Sequence, residues 1–213
     1  MQRLATLAFF GATFVLMSFS APVLKKDKHE PTTLSPTRAT TFVVDNQQSK
    51  LTWTAKKVTG EHSGTINVAE GTIHVENKAI KGGNFSLDTR SIAVTDIKDP
   101  GMNGRLVGHL KSDDFFSVEK FPAANFIISS VTSKSSGEYE VTGKLTIKGI
   151  TNPITFPATV AIDGNKLTAK AAIKIDRTKY DIKFRSKSFF ENLGDKTIYD
   201  DFDLNVLLIA NAK

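Results

Sequence analysis

The chain has 213 residues, a formal net charge of +6 and a sequence pI of about 9.4, room for one domain with an appendage or for two small domains. Its lysines and arginines are interspersed with acids and form no long run of one sign, and most aromatics fall on the apolar phase of strands, so no nucleic-acid partner is expected. With no cysteine in the chain, disulfides, thiolate catalysis, cysteine-based zinc sites and a lipoprotein anchor are excluded.

Met1 to Ser20 opens with Arg3, continues without charge through LATLAFFGATFVLMSF and ends in SFSAP, where Ser18 and Ser20 flank a cleavage point. The pattern predicts a signal peptide over 1–20, removed near Ser20, and a mature protein that is periplasmic or secreted. The apolar run is shorter than the roughly 20 residues of a comfortable transmembrane helix, which makes an uncleaved anchor the weaker alternative. Residues 21–40 are rich in proline, threonine and lysine and lack apolar periodicity, the composition of a disordered linker. His29 falls there and is assigned no role.

Over 41–213 the register changes to that of strands. Phe42 to Val44 form a short one, and in LTWTA Leu51, Trp53 and Ala55 alternate with threonines, which points Trp53 inward. GEHSGTINV, GTIHVEN and GGNFSLDTRSIAV are short β-branched runs separated by glycine, asparagine or glutamate, as in an antiparallel meander. DIKDPGMNGRLVGHLKSDD is the place where apolar spacing leaves period two. Leu106 and Leu110 share a helical face there, so the spacing predicts one short helix over 103–111 with Asn103 as its cap. Strands then resume with AANFIISSV, EYEVTGKLTIKG, ITFPATVAID, KLTAKAAIKID and FDLNVLLIA, and Gly164 to Lys166 reads as a tight hairpin turn. About eight strands with short connections fit an up-and-down barrel or a sandwich, and a single helix in mid-chain favours a barrel whose mouth it covers.

The segment from Leu106 to Ile154 organises this reading. Val107, Leu110, Phe115, Phe116 and Phe121 are too apolar for a solvated connection, so the stretch is expected to act as a lid on an apolar interior. HLKSDDFF, KFP with Phe126 beyond it, GKLTIKGITNPITF and DRTKY near Asp176 resemble, in order and spacing, the YceI-like polyisoprenoid-binding family, over most of the chain after Thr41. His109, Leu110, Asp114, Phe115 and Phe116 match its pattern; where many members carry an Arg-Asp pair before the His-Leu, this chain has Leu106 and Val107. The resemblance implies an all-β, lipocalin-like antiparallel barrel with an elongated apolar channel for an isoprenoid lipid.

Catalysis would need a nucleophile and base, a metal site or paired carboxylates in a cleft. No G-x-S-x-G, H-E-x-x-H or phosphate-binding glycine loop is present. His62 and His74, read on neighbouring strands, are the pair with metal-ligand chemistry, but surface histidines are the commoner outcome; no metal and no cofactor are expected. Binding a long apolar ligand asks for less. Burying one isoprene unit is worth roughly 3 to 4 kcal/mol before entropy costs. The candidate ligand contacts are Trp53, Phe85, Leu106, His109, Leu110, Phe115, Phe116, Phe126, Leu145, Ile147, Phe156, Arg177 and Tyr180. Of these, His109, Arg177 and Tyr180 suit a polar head group such as a quinone carbonyl or phosphate. The leading expectation is an exported carrier, not an enzyme, that holds a polyisoprenoid or isoprenoid quinone for transport, storage or sequestration. It would touch a membrane transiently for lipid exchange, and pairing into a homodimer is left open. The alternatives are an exported β-sandwich interaction module without a cavity and, further off, a hydrolase.

Overall fold

The computed structural model describes residues 39–213. The expected signal peptide and its cleavage point lie outside the described residues, as does most of the expected linker. Ala39 and Thr40, read as its end, already belong to the first strand.

The strands are β1 (Ala39–Val44), β2 (Lys50–Lys57), β3 (Gly60–Glu76), β4 (Ala79–Val94), β5 (Ala123–Ser135), β6 (Glu138–Ile147), β7 (Ile150–Asp163), β8 (Lys166–Asp176) and β9 (Ile198–Ala212). Each from β2 onward pairs antiparallel with the next, and β9 returns to β2, which closes an eight-strand up-and-down barrel. β1 shares the slot of β2: it pairs with the far ends of β3 and β9, so the two run one after the other along the same seam. Closure leaves no strand edge free along that seam for pairing with another chain.

The two ends of the barrel differ. One, here the turn end, carries two-residue connections at Asn77-Lys78, Ser136-Gly137 and the expected Gly164-Asn165. The other, the lid end, carries the long connections 95–122 and 177–197. The first of these contains α1 (Pro100–Lys111). Its start corrects the expected boundary: Asp99 is the cap, its Oδ1 accepting from the Met102 amide at 2.7 Å, and Pro100 opens the helix. Asn103 has a different task. Its Nδ2 donates to Val94 O and Ile97 O at 2.9 and 3.0 Å and ties the helix to the end of β4.

A second correction concerns β3. The runs around His62 and His74 are one strand of 17 residues. Ala69 to Gly71, which reads as a turn, instead lies among register shifts where β3 bulges against β4. Gly71 is needed because a Cβ there would come within 2.8 Å of the Phe85 ring and of Val44. Twelve residues of strand separate the two histidines, roughly 40 Å. They therefore cannot meet: His62 Nδ1 contacts Asp96 Oδ2 at 2.8 Å, and His74 Nδ1 contacts Thr41 Oγ1 at 3.2 Å.

Candidate functional site

Period-two alternation sends one face of every strand into the barrel, and the inward residues do not fill it. Two adjoining voids remain, of about 120 Å³ towards the turn end and about 100 Å³ beneath the lid. Leu87, Ala124, Leu145, Ile175 and Leu204 border both, forming the belt where they meet. The surface of the turn-end void is apolar throughout.

In the turn-end void, Phe85, Phe126 and Phe156 form an aromatic row from β4 to β7, with ring centroids 6.3 and 5.5 Å apart. Glycine makes this row possible. A Cβ on Gly143 would lie within 2.6 Å of the Phe126 ring and the Ile127 carbonyl, so β6 presents bare backbone where the ring must lie.

Over the other void, the chain after α1 folds back on itself. The Phe116 amide donates to Leu110 O, and the Val118 amide to Lys111 O. Thr89 Oγ1 donates to Phe121 O at 2.7 Å and pins the far end of the segment. Leu110, Phe115 and Phe116 thereby face the void as its ceiling. Leu106 and Val107 pack against the core beside them. Lys148, at the turn between β6 and β7, joins this lid to the second long connection: its Nζ donates to Asp113 O and Asp181 O at 3.4 and 3.1 Å.

That second connection is held by Arg177. Its Nε, Nη1 and Nη2 donate to Tyr199 O, Ile182 O and Ile198 O at 3.0, 2.7 and 3.0 Å. Nη2 also lies 3.5 Å from Asp200 Oδ1. The guanidinium is buried, and desolvation pulls its pKa down against the opposing charges of Asp200 and Asp176. Asp200 is held below the ordinary carboxylate range. Burial acts to raise it, but hydrogen bonds from Ser186 and Ser188 and the charge of Arg177 outweigh that.

The structure places the sequence-predicted residues in four groups. Phe85, Phe126 and Phe156 line the turn-end void, Trp53, Leu110, Phe115, Phe116, Ile147 and Arg177 line the lid-end void, and Leu145 borders both. Leu106, His109 and Tyr180 line neither. His109 Nε2 contacts Asp114 Oδ2 at 2.9 Å, and its ring stands edge-on to Phe115 and Phe184. Tyr180 is buried, burial raises its pKa, and its hydroxyl has no hydrogen-bond partner among the described residues. Sequence reasoning singled out the aromatics with Leu110, Leu145 and Ile147, and missed most of the aliphatic wall, such as Ile73, Ile154, Ile173, Val206 and Leu208. Their signal was the same alternation that defined the strands.

The sequence profile of the family described as YceI-like domain matches residues 42–210. A UPF0312 protein of Shewanella denitrificans is 45% identical over 56 residues, 26% of this chain and 29% of that protein. The chain spans less than two thirds of the length of the curated relatives it matches. Among solved structures, BcnA of Burkholderia cenocepacia superposes with a TM-score of 0.64 at 22% identity, over 78% of this chain and 98% of that one. A polyisoprenoid binding domain from Saccharophagus degradans, implicated in plant cell wall breakdown, superposes at 0.60 with 12% identity, over 81% and 98% of the two chains. At these identities the likeness is one of fold.

Proposed function

The chain belongs to the YceI-like family, and from that premise we propose that it is an exported carrier that takes the tail of an isoprenoid lipid or isoprenoid quinone into its barrel, for transport, storage or sequestration. The observation that carries the reading is the apolar surface that the turn-end void presents, continued by a second void under an aromatic ceiling. A related fold described as polyisoprenoid binding supports the same ligand class. The mechanism is partition: transfer of each carbon group out of water contributes about 0.8 kcal/mol, and no bond is made or broken.

The voids are narrow, so a tail longer than a few carbons needs the half-buried Phe116, Phe126 and Phe156 side chains to turn aside. Trp53 lines the lid-end void, and its indole N–H has no partner among the described residues. Exchange with a bilayer belongs to the same reading. Phe189 and Phe190 are each 50% exposed, and Lys183, Arg185 and Lys187 precede them in sequence, a basic and aromatic tip suited to an anionic membrane surface.

Trp53 is the single tryptophan of the chain, so its fluorescence reports on the interior without interference. Titration with a short-chain isoprenoid benzoquinone is expected to quench it saturably at one quinone per chain. Linear, unsaturable quenching no stronger than that of free tryptophan would overturn the carrier reading.

A further inference from the structure

The barrel wall is not zipped along its whole length. β7 pairs with β8 only over Ala158–Asp163 and Lys166–Ala171. Above Ala158 and Ala171, residues 150–157 and 172–176 are held by their other neighbours, β6 and β9. The cause is in the sequence. The Val160 amide donates to Gly137 O, on the β6 side, so even-numbered amides of this strand face β6 and odd-numbered ones face β8. Pro153 and Pro157 therefore stand where β7 would donate to β8, and neither has an N–H.

Side chains do not close what the backbone leaves open. Thr155 bonds to Thr142 on β6 at 2.9 Å, and Lys174 to Asp203 on β9 at 2.8 Å, each away from the seam. At the lid end the gap is bounded by Asn152 Nδ2 donating to Lys179 O at 2.9 Å. The inward residues beside it, Ile154, Phe156 and Ile173, stay half-exposed, whereas Leu145 and Ile175 in the belt are buried. At the other place where neighbouring strands part, β4 before Asn84 and β5 beyond Ile127, Ile128 stands beside Gly83, its Cδ1 3.3 Å from where a Cβ there would lie.

Outside the seam, Pro157, Thr159, Lys170, Ala172 and Asn205 line an open groove. Ala158, Lys170, Ala171 and Val206 border both this groove and the turn-end void. Two of those four are alanines, so little side-chain bulk separates outside from inside.

From this geometry we propose that the seam between β7 and β8 is the portal through which an isoprenoid tail passes from the outer groove into the barrel, while the lid stays in place. The proposal rests on the carrier reading. It fits the chemistry of the ligand: a branched hydrocarbon tail forms no hydrogen bonds, so it slides between strands that make none with each other. The aromatic row of Phe156, Phe126 and Phe85 begins on β7 beside the seam and continues along the inner wall to β4.

The absence of cysteine makes the test clean. Thr155→Cys with Lys174→Cys places a thiol on each side of the seam, and Ala161→Cys with Thr168→Cys places a pair across the zipped part of the same two strands. Each purified double variant is bridged with a short bifunctional maleimide, its unfolding midpoint is checked, and uptake of a short-chain isoprenoid benzoquinone is followed by Trp53 quenching. Bridging the seam is expected to slow uptake roughly tenfold or more relative to the same unbridged variant, and bridging the zipped part to leave it unchanged. Equal uptake rates with and without the seam bridge, in protein that binds quinone, would overturn the portal and leave the carrier reading standing. No saturable quenching in any form would sink both.

Discussion

At the turn end of the barrel, neighbouring strands are joined by two-residue connections and backbone pairing holds the wall except where β4 before Asn84 parts from β5. At the lid end, the connections 95–122 and 177–197 arch over the interior, and their shape depends on a few polar side chains: Arg177, Asn103, Thr89 and Lys148. Backbone ladders are indifferent to most substitutions, whereas a single side chain holding several carbonyls is not. The lid end should therefore be the fragile half.

The largest expected effect is at Arg177. Replacement by alanine leaves the Ile182, Ile198 and Tyr199 carbonyls and Asp200 without their partner, and a loss of about 3 to 5 kcal/mol in denaturant unfolding is expected. Arg177→Lys should recover little of it, because an ammonium cannot reproduce the fork. The turn-end half is expected to be sensitive mainly where packing is tight. Gly143→Ala forces a methyl into the Phe126 ring and the Ile127 carbonyl, with an expected loss of about 1 to 3 kcal/mol and a reduced capacity for quinone. Asn103→Ala frees the helix from Val94 O and Ile97 O, an expected loss of about 1 to 2 kcal/mol. If Gly143→Ala proved costlier than Arg177→Ala, the contrast between the two ends would be reversed.

The smallest effect is in the pH dependence. The folded-state pKa of Asp200 is lowered below its ordinary value of 3.8, so the stability it contributes is fully present above that value and is lost as pH falls through the lowered one. Comparison of Asp200→Asn with the parent chain should show a flatter acid limb below about pH 4 and the same slope near neutrality. A difference confined to neutral pH would mean that the carboxylate is not held by Ser186, Ser188 and Arg177.

The eight-strand barrel was legible because its information is local. Alternation at Leu51-Trp53-Ala55 and at Phe202-Leu204-Val206-Leu208 assigns strand and inward face together, and the interruption around Leu106 and Leu110 marks the helix. What misled was glycine and asparagine read out of context. Gly71 looks like a turn and is a place for the Phe85 ring; Asn103 looks like a cap and is a tether, while Asp99 before Pro100 does the capping. Of the site, the aromatics were legible by type. The use of Arg177 for carbonyls was not, since its partners at Ile198 and Tyr199 lie some twenty residues away, across a loop of no regular pattern. The seam did have a readable signal: Pro153 and Pro157 sit on one side of a single strand, and proline there removes the donors a neighbour would need.

The central claim, that the barrel interior holds an isoprenoid tail beneath the lid, is tested most directly by quantifying lipid extracted from the purified chain and from Phe116→Asp, with denaturant midpoints measured on both. Phe116 borders the lid-end void and is half-buried, so a carboxylate there is placed against the tail, where it is costly to desolvate. The account predicts isoprenoid lipid in the parent extract and a loss of it in the variant far larger than the change in stability. Equal lipid in a normally stable Phe116→Asp, or no isoprenoid in the parent at all, would contradict it.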